Sequence, residues 1–208
     1  MITCPQRLFQ LAIDAIQRAG GAQPRCHVVL AVDIASFASR DEAMQIHMRN
    51  VLYQTIRRAC RTMRNPWFSC RLEDRGDGVL LVIDSRIGLG SVFTRLVPHI
   101  RAGIRVHNQT ALPEARIQLR IAVHSGFLHR DAHGVTGTTV THLFRLLDAP
   151  VMKKRLADQD ADSALIISDD LYPTAIGYHL IKAEAFKPVT VDVKETHAEA
   201  WLSVPDAL

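Results

Sequence analysis

The stretch "HVVLAVDI", residues 27–34, constrains the fold more than any other part of the chain. Apart from His27 and Asp33 every residue in it is apolar. Successive side chains of a strand point to opposite faces, so a strand this apolar needs cover on both sides and belongs at the centre of a sheet. Asp33 is the exception, a carboxylate at the mouth of a buried strand. A second such mouth follows in "LEDRGDGVLLVI", residues 72–83. "WFSCRLE" (67–73) and "GVLLVID" (78–84) read as a β-hairpin around an Asp-Arg-Gly-Asp turn, which sets Asp77 against five apolar residues that must be buried.

The remaining pattern supplies the partners of these strands. Residues 6–18 have helical spacing, with Leu8, Leu11, Ala12, Ala15 and Ile16 on one side and "GG" after them. Residues 41–64 read as a long helix, basic towards its end, and 88–107 as a second helix with Pro98 as a kink. "ARIQLRIAVHSG" (115–126) alternates as a strand, 138–157 is expected as a third helix, and "ALIIS" (164–168) as a short strand. "PVTVDVKETHAEAWLSV" reads as two further strands around a turn. No repeat, low-complexity segment or linker interrupts the chain. The expected organisation is an N-terminal helical extension (1–25) and one domain (26–208). Strand, helix, hairpin, helix, strand is the split βαβ order, which gives an α+β fold: a ferredoxin-like or palm βαββαβ sheet with C-terminal additions. In such a sheet the first strand's end and the hairpin turn are neighbours, so Asp33 and Asp77 face each other.

Composition narrows the functional classes. Hydrophobic residues make up 48% and charged residues 22%, ordinary values for a globular chain. The net charge of +4 comes from 25 dispersed Lys and Arg against 21 acids, with no like-charge run, so nucleic acid is not an expected partner whereas an anionic small molecule is compatible. Cys4, Cys26, Cys60 and Cys70 form no metal or redox spacing and are expected as reduced thiols. No apolar run reaches the roughly 20 residues that cross a bilayer, and the N-terminus lacks a signal-peptide pattern. The expectation is a cytoplasmic protein without a membrane partner.

Two carboxylates held together repel, and a bound divalent cation removes the conflict. Mg²⁺ suits such a pair because it takes oxygen ligands and fills its remaining positions with phosphate oxygens and water. Ala35 and Ser36, just beyond the strand, are small enough for backbone amides to approach a triphosphate. The competing reading is that Asp33 caps a turn and Asp77 belongs to an Asp-Gly hairpin. Arg57, Arg58, Arg61 and Arg64 read as a solvated helix face, Trp67 and Trp201 as packing residues, and the ten histidines, His107, His124 and His129 among them, as structural or surface groups without zincin spacing.

Four segments in order, "VVLAVDIASFASRDE", "EDRGDGVLLVI", "IQLRIAVHSGFLH" and "GVTGTTVTHLFRLLDA", resemble the successive motifs of class III nucleotidyl cyclase catalytic domains, over about residues 27–150. The resemblance implies that a nucleoside triphosphate is converted to a 3′,5′-cyclic nucleotide and pyrophosphate, in a homodimer with two shared sites. It implies that Asp33 and Asp77, with the backbone carbonyl of Ile34, bind two Mg²⁺ or Mn²⁺ ions per site. It places Ala35, Ser36 and Phe37 at the triphosphate. Arg145, from the other protomer, corresponds to the arginine that stabilises charge on the α-phosphate, and Lys194 to a triphosphate-binding lysine.

The departures from the family pattern bear on substrate and activity. The adenine-reading lysine position holds Glu73, which only accepts hydrogen bonds, and would suit N–H groups of guanine or N3–H of uracil. The second base-reading position is Gly134, with Thr138 nearby as a substitute. Together these disfavour ATP and leave GTP and the pyrimidine triphosphates open, the latter used by superfamily members that serve antiphage defence. The ribose-positioning asparagine corresponds to Thr141, or to His142 with a shift of one residue. The alternative function is a catalytically degenerate cyclase-like domain that binds nucleotide or a regulatory partner. A polymerase-like palm enzyme fits the "RGDG" turn less well.

Overall fold

The computed structural model describes residues 24–63 and 70–205. The helix expected over 6–18, and Cys4, Arg64 and Trp67, lie outside the described residues. Strands β1 (Arg25–Ile34), β2 (Cys70–Asp74), β3 (Gly78–Asp84), β4 (Leu119–Arg130), β5 (Val135–Thr136), β6 (Ser163–Ser168), β7 (Lys187–Val193) and β8 (Thr196–Ser203) form one sheet in the order β2-β3-β1-β4-β6-β8-β7, with β5 paired to the tail of β4. The first four strands in that order are the expected split βαβ unit, all antiparallel to their neighbours. β6 then adds parallel to β4, and the β7–β8 hairpin closes the sheet.

The alternation of β1 divides its side chains between two cores. Val28, Leu30, Val32 and Ile34 face helices α1 (Glu42–Arg61) and α2 (88–110), whereas Val29 and Ala31 face α3 (Thr138–Leu147) and α4 (Pro150–Asp158). α1 begins at Asp41, whose carboxylate accepts from the Met44 amide at 2.8 Å and satisfies an otherwise unpaired donor. α2 runs from Gly88–Ser91 through a π-helical turn at Val92–Leu96 into Val97–Thr110. Pro98 lacks the amide that a regular helix would use, and the wide turn just before it takes up the expected kink.

The single helix expected over 138–157 is two. Pro150 disfavours helical geometry at the residue before it, and Ala149 is extended (φ −54, ψ 123), so α3 ends and Pro150 opens α4. β4 starts at Leu119 rather than at 115, after a 3₁₀ turn at Pro113–Ala115. β5, a two-residue strand, has no alternation long enough to mark it. A short helix α5 (Tyr172–Gly177) follows β6, and Tyr172 stacks on Trp201 at 3.7 Å.

Candidate functional site

Four of the residues singled out in the sequence line two separate hollows, Ala35 and Ser36 one and Thr141 and Arg145 the other. The first lies at the mouth of β1. Asp33 registers with Gly78 on β3 and with Arg120 on β4, and the Ile34 amide donates to the Asp77 carbonyl at 3.1 Å. The close approach depends on Gly78, since a Cβ there would stand 2.2 Å from the Val32 carbonyl oxygen. Gly76, at φ 84, turns the chain between the strands. Asp33 and Asp77 are thus on adjoining strand ends.

Asp33 is only 8% exposed, and Arg120 grips it with two hydrogen bonds, Nε to Oδ1 at 2.7 Å and Nη2 to Oδ2 at 2.6 Å. Burial nevertheless pushes its pKa up to about 6, against the pull of Arg120 and with added repulsion from Asp77 and Asp148. A carboxylate that remains hard to ionise beside a bidentate guanidinium is one that further positive charge would relieve. Asp33 and Asp77 are oxygen donors of the kind a divalent cation takes, but both Asp33 oxygens are occupied by Arg120, so a cation there would have to displace part of that grip. Ile34 has a buried side chain and would serve only through its carbonyl. Among the described residues no group of three or more His, Cys, Asp or Glu is placed to hold a metal.

Beside the pair, Ala35, Ser36, Gln118, Arg120 and Lys153 line a hollow of about 240 Å³. Here one expectation needs correcting. The Ala35 amide donates to the Gln118 carbonyl at 2.9 Å, so strand pairing uses it and it has no donor to offer a phosphate. Phe37 is half-buried and packs against the α1/α2 core. Arg120 was missed in the sequence. It was legible as the single charge inside the apolar run "LRIAV", but its partner lies 87 residues away.

The second hollow, about 290 Å³, runs along α3 and is lined by Arg75, Val135, Thr136, Gly137, Val140, Thr141, Phe144 and Arg145. Thr141 and Arg145 are one helical turn apart and share this face. His142 instead turns to the sheet, its ring 4.8 Å from that of His124, so helical phase leaves Thr141 in the hollow. Arg145 is mostly buried; its Nη2 donates to Glu195 Oε1 at 2.7 Å, and its Nε has no hydrogen-bond partner. Glu195 and the exposed Lys194 form the β7–β8 turn, with Lys194 at φ 54. Thr138 opens α3 and is exposed.

Glu73 and Gly134 meet at the edge of this hollow. A Cβ on Gly134 would lie 3.1 Å and 3.2 Å from the two Glu73 carboxylate oxygens. Arg75 Nη2 donates to Glu73 Oε2 at 2.9 Å and its guanidinium sits 5.3 Å from the Phe144 ring centre. Glu73 Oε1 lies 3.1 Å from Arg71 Nε without hydrogen-bond alignment and is a buried acceptor with no hydrogen-bond partner.

This α+β fold, with its antiparallel βαββαβ half, added parallel strand and closing hairpin, is that of class III adenylate and guanylate cyclase catalytic domains. The chain is similar to an adenylate/guanylate cyclase/hydrolase from Silicibacter pomeroyi (20% identity, TM-score 0.60, covering 88% of this chain and 99% of that one). It is similar also to the guanylyl cyclase Cya2 (15% identity, TM-score 0.61, 88% and 93% covered). The guanylate cyclase domain of RhGC from Catenaria anguillulae, solved in complex with GTP, aligns at 18% identity and TM-score 0.55 over 87% of this chain and 96% of that one. No family model matches the chain and no curated protein matches it by sequence. At these identities the likeness is one of fold. No helix among the described residues is long and apolar enough to cross a membrane.

Proposed function

We propose that this chain is a nucleotidyl cyclase that acts as a homodimer on a nucleoside triphosphate, yielding a 3′,5′-cyclic nucleotide and pyrophosphate. The observation that carries the reading is the division of the candidate residues into two unlike half-sites on one chain. One, at the mouth of β1, has Arg120 beside the strand ends that carry Asp33 and Asp77; the other, along α3, has Arg145 and Thr141, with Glu73 bound to its lining residue Arg75. In a twofold head-to-tail pair, each half of one protomer meets the complementary half of its partner.

Asp33, Asp77 and the Ile34 carbonyl would hold two Mg²⁺ or Mn²⁺ ions. When bound, such ions supply activation of the ribose 3′-hydroxyl and neutralise triphosphate charge. Arg120 has a buried Nη1 without a partner and stands ready to exchange part of its hold on Asp33 for a phosphate oxygen. Ser36 and Phe37 border the triphosphate through their backbone, with Ala35 as a spacer. Arg145 exchanges the exposed Glu195 for the α-phosphate oxygens, its fork fixed by burial, and Lys194 on the same turn adds charge to the triphosphate. Thr141 hydrogen-bonds the ribose, and Thr138 the base edge.

Glu73, its carboxylate held by Arg75, accepts from the base. An acceptor there suits guanine, whose N1–H and N2–H both donate, or uracil through N3–H, and it offers nothing to the ring nitrogens of adenine that a lysine in this place would serve. GTP or a pyrimidine triphosphate is therefore preferred over ATP. Purified protein incubated with each of the four ribonucleoside triphosphates and Mg²⁺ or Mn²⁺ tests this by the cyclic product formed. Fastest turnover of ATP would overturn the assignment of Glu73 and Gly134. A second reading, a degenerate domain that binds nucleotide without turnover, is favoured by the shorter reach of Thr141, and it predicts nucleotide binding without product from any of the four.

A further inference from the structure

A third hollow, about 600 Å³, is the largest of those described and belongs to neither half-site. It opens between α2 and the first residue of β6. Ser163 at its floor lies on the same face as Leu165 and Ile167, the α1/α2 side of the sheet, whereas the Asp33–Arg120 pair lies on the α3/α4 side. Its size is that of a small-molecule pocket.

Its lining is charged in an unusual way. Arg101 and Arg105, one helical turn apart on α2, and Arg116, before β4, all border it. Arg101 donates Nε to Ser163 Oγ at 3.0 Å, its Nη2 is buried without a hydrogen-bond partner, and no ion pair neutralises it among the described residues. Burial, and then repulsion from Arg105, pulls its pKa down to about 10. Asp160 and Asp162 also border the cavity. Asp162 is already engaged, accepting from Asn108 Nδ2 at 2.6 Å and lying 3.8 Å from Arg105 Nε. Asn108 further clamps Ile117 through both backbone groups at 2.8 Å, so the wall that carries the arginines is fixed to the segment leading into β4. Three arginines against two aspartates leave the lining net positive, and an oxyanion would neutralise it with charge-assisted hydrogen bonds.

We propose that this cavity binds a small metabolite bearing a phosphate or carboxylate group, with Arg101 and Arg105 as its anchors. The proposal does not depend on the cyclase reading. Isothermal titration of the full chain with inorganic phosphate and with citrate, at constant ionic strength, tests it. The expected result is saturable one-to-one binding of one of the two anions, which identifies the ligand's chemistry. Arg105→Ala, a half-exposed position, should weaken it about tenfold or more without unfolding the protein, and Arg101→Met likewise. Arg145→Ala, in the α3 hollow, should leave it unchanged. The assignment is overturned if neither anion binds saturably, if Arg105→Ala protein binds as tightly as wild type, or if Arg145→Ala alone abolishes binding.

Discussion

His124 is a structural histidine whose environment gives it a measurable cost. It lies on β4 with its Nδ1 2.8 Å from Ser168 Oγ, and burial, then the neighbouring His142, holds its pKa down to about 4 while Asp170 pulls the other way. Below an ordinary histidine pKa of about 6.5 the unfolded chain takes up a proton that the folded chain refuses. Stability is therefore lost as pH falls from about 6.5 to about 4, by on the order of 3 kcal/mol. Asp33, raised to about 6, works in the opposite direction over part of this range, because its proton is bound more tightly in the folded state. Asp74 and Asp84, both held near 2, matter only at lower pH. The difference between wild type and His124→Gln isolates the histidine: denaturant melts from pH 7 to 4.5 should show a flatter profile in the variant. An unchanged slope would remove His124 from the account. Gly134 carries a second residue-scale prediction. At φ 144, with a Cβ held 3.1 Å from Glu73 Oε1, Gly134→Ala should lower stability by about 1–3 kcal/mol. It should also displace the Glu73 carboxylate, and a thermal melt with a crystal structure of the variant checks both.

At the scale of elements, local pattern and long-range contact separate cleanly. β1, β3 and the turn between β2 and β3 were legible because alternation, a continuous apolar run and a Gly-Asp-Gly turn are all features of a few adjacent residues. Asp33 and Asp77 were found together for the same reason, since the split βαβ order makes their strand ends neighbours. The break between α3 and α4 lay in Pro150, but the apolar spacing runs on across it and hid the boundary. Arg75 and Glu195 were not legible as site groups, and Arg120 only as a charge in an apolar run, because what marks each is a partner supplied by the fold. The seating of α3 on β4 is another such contact. A Cβ on Gly126 would stand 2.5 Å from Thr139 Oγ1, which donates to the Phe127 carbonyl at 2.6 Å. Gly126→Ala should therefore destabilise the protein by about 1–3 kcal/mol through overpacking. Thr139→Ala removes the clashing atoms along with the hydrogen bond, so the double variant should lose less than the sum of the singles. A denaturant double-mutant cycle reads the coupling, and strict additivity would show that the helix is free to shift.

The whole molecule carries one hollow along α3 and another at the mouth of β1, and the chain's own ion pairs occupy the arginine in each. Arg145 is held by Glu195, and Arg120 by Asp33. Each of these arginines is thus engaged within the protomer, and under the proposed function a second copy brings each hollow the groups it lacks. Under the proposed function, Asp77→Ala spoils the carboxylate half and Arg145→Ala the α3 half, so a homodimer of either variant has no intact site and should be nearly inactive. When the two are mixed and subunits exchange, each mixed dimer combines the intact α3 half of the first with the intact carboxylate half of the second. Half of the dimers in an equal random mixture are mixed, and each has one good site of two, so about a quarter of wild-type activity should return. Subunit exchange is checked independently with differently tagged chains. Dead parents and a dead mixture, despite confirmed exchange and an active wild type, would mean that each site is built within a single chain and that the two hollows do not complete each other.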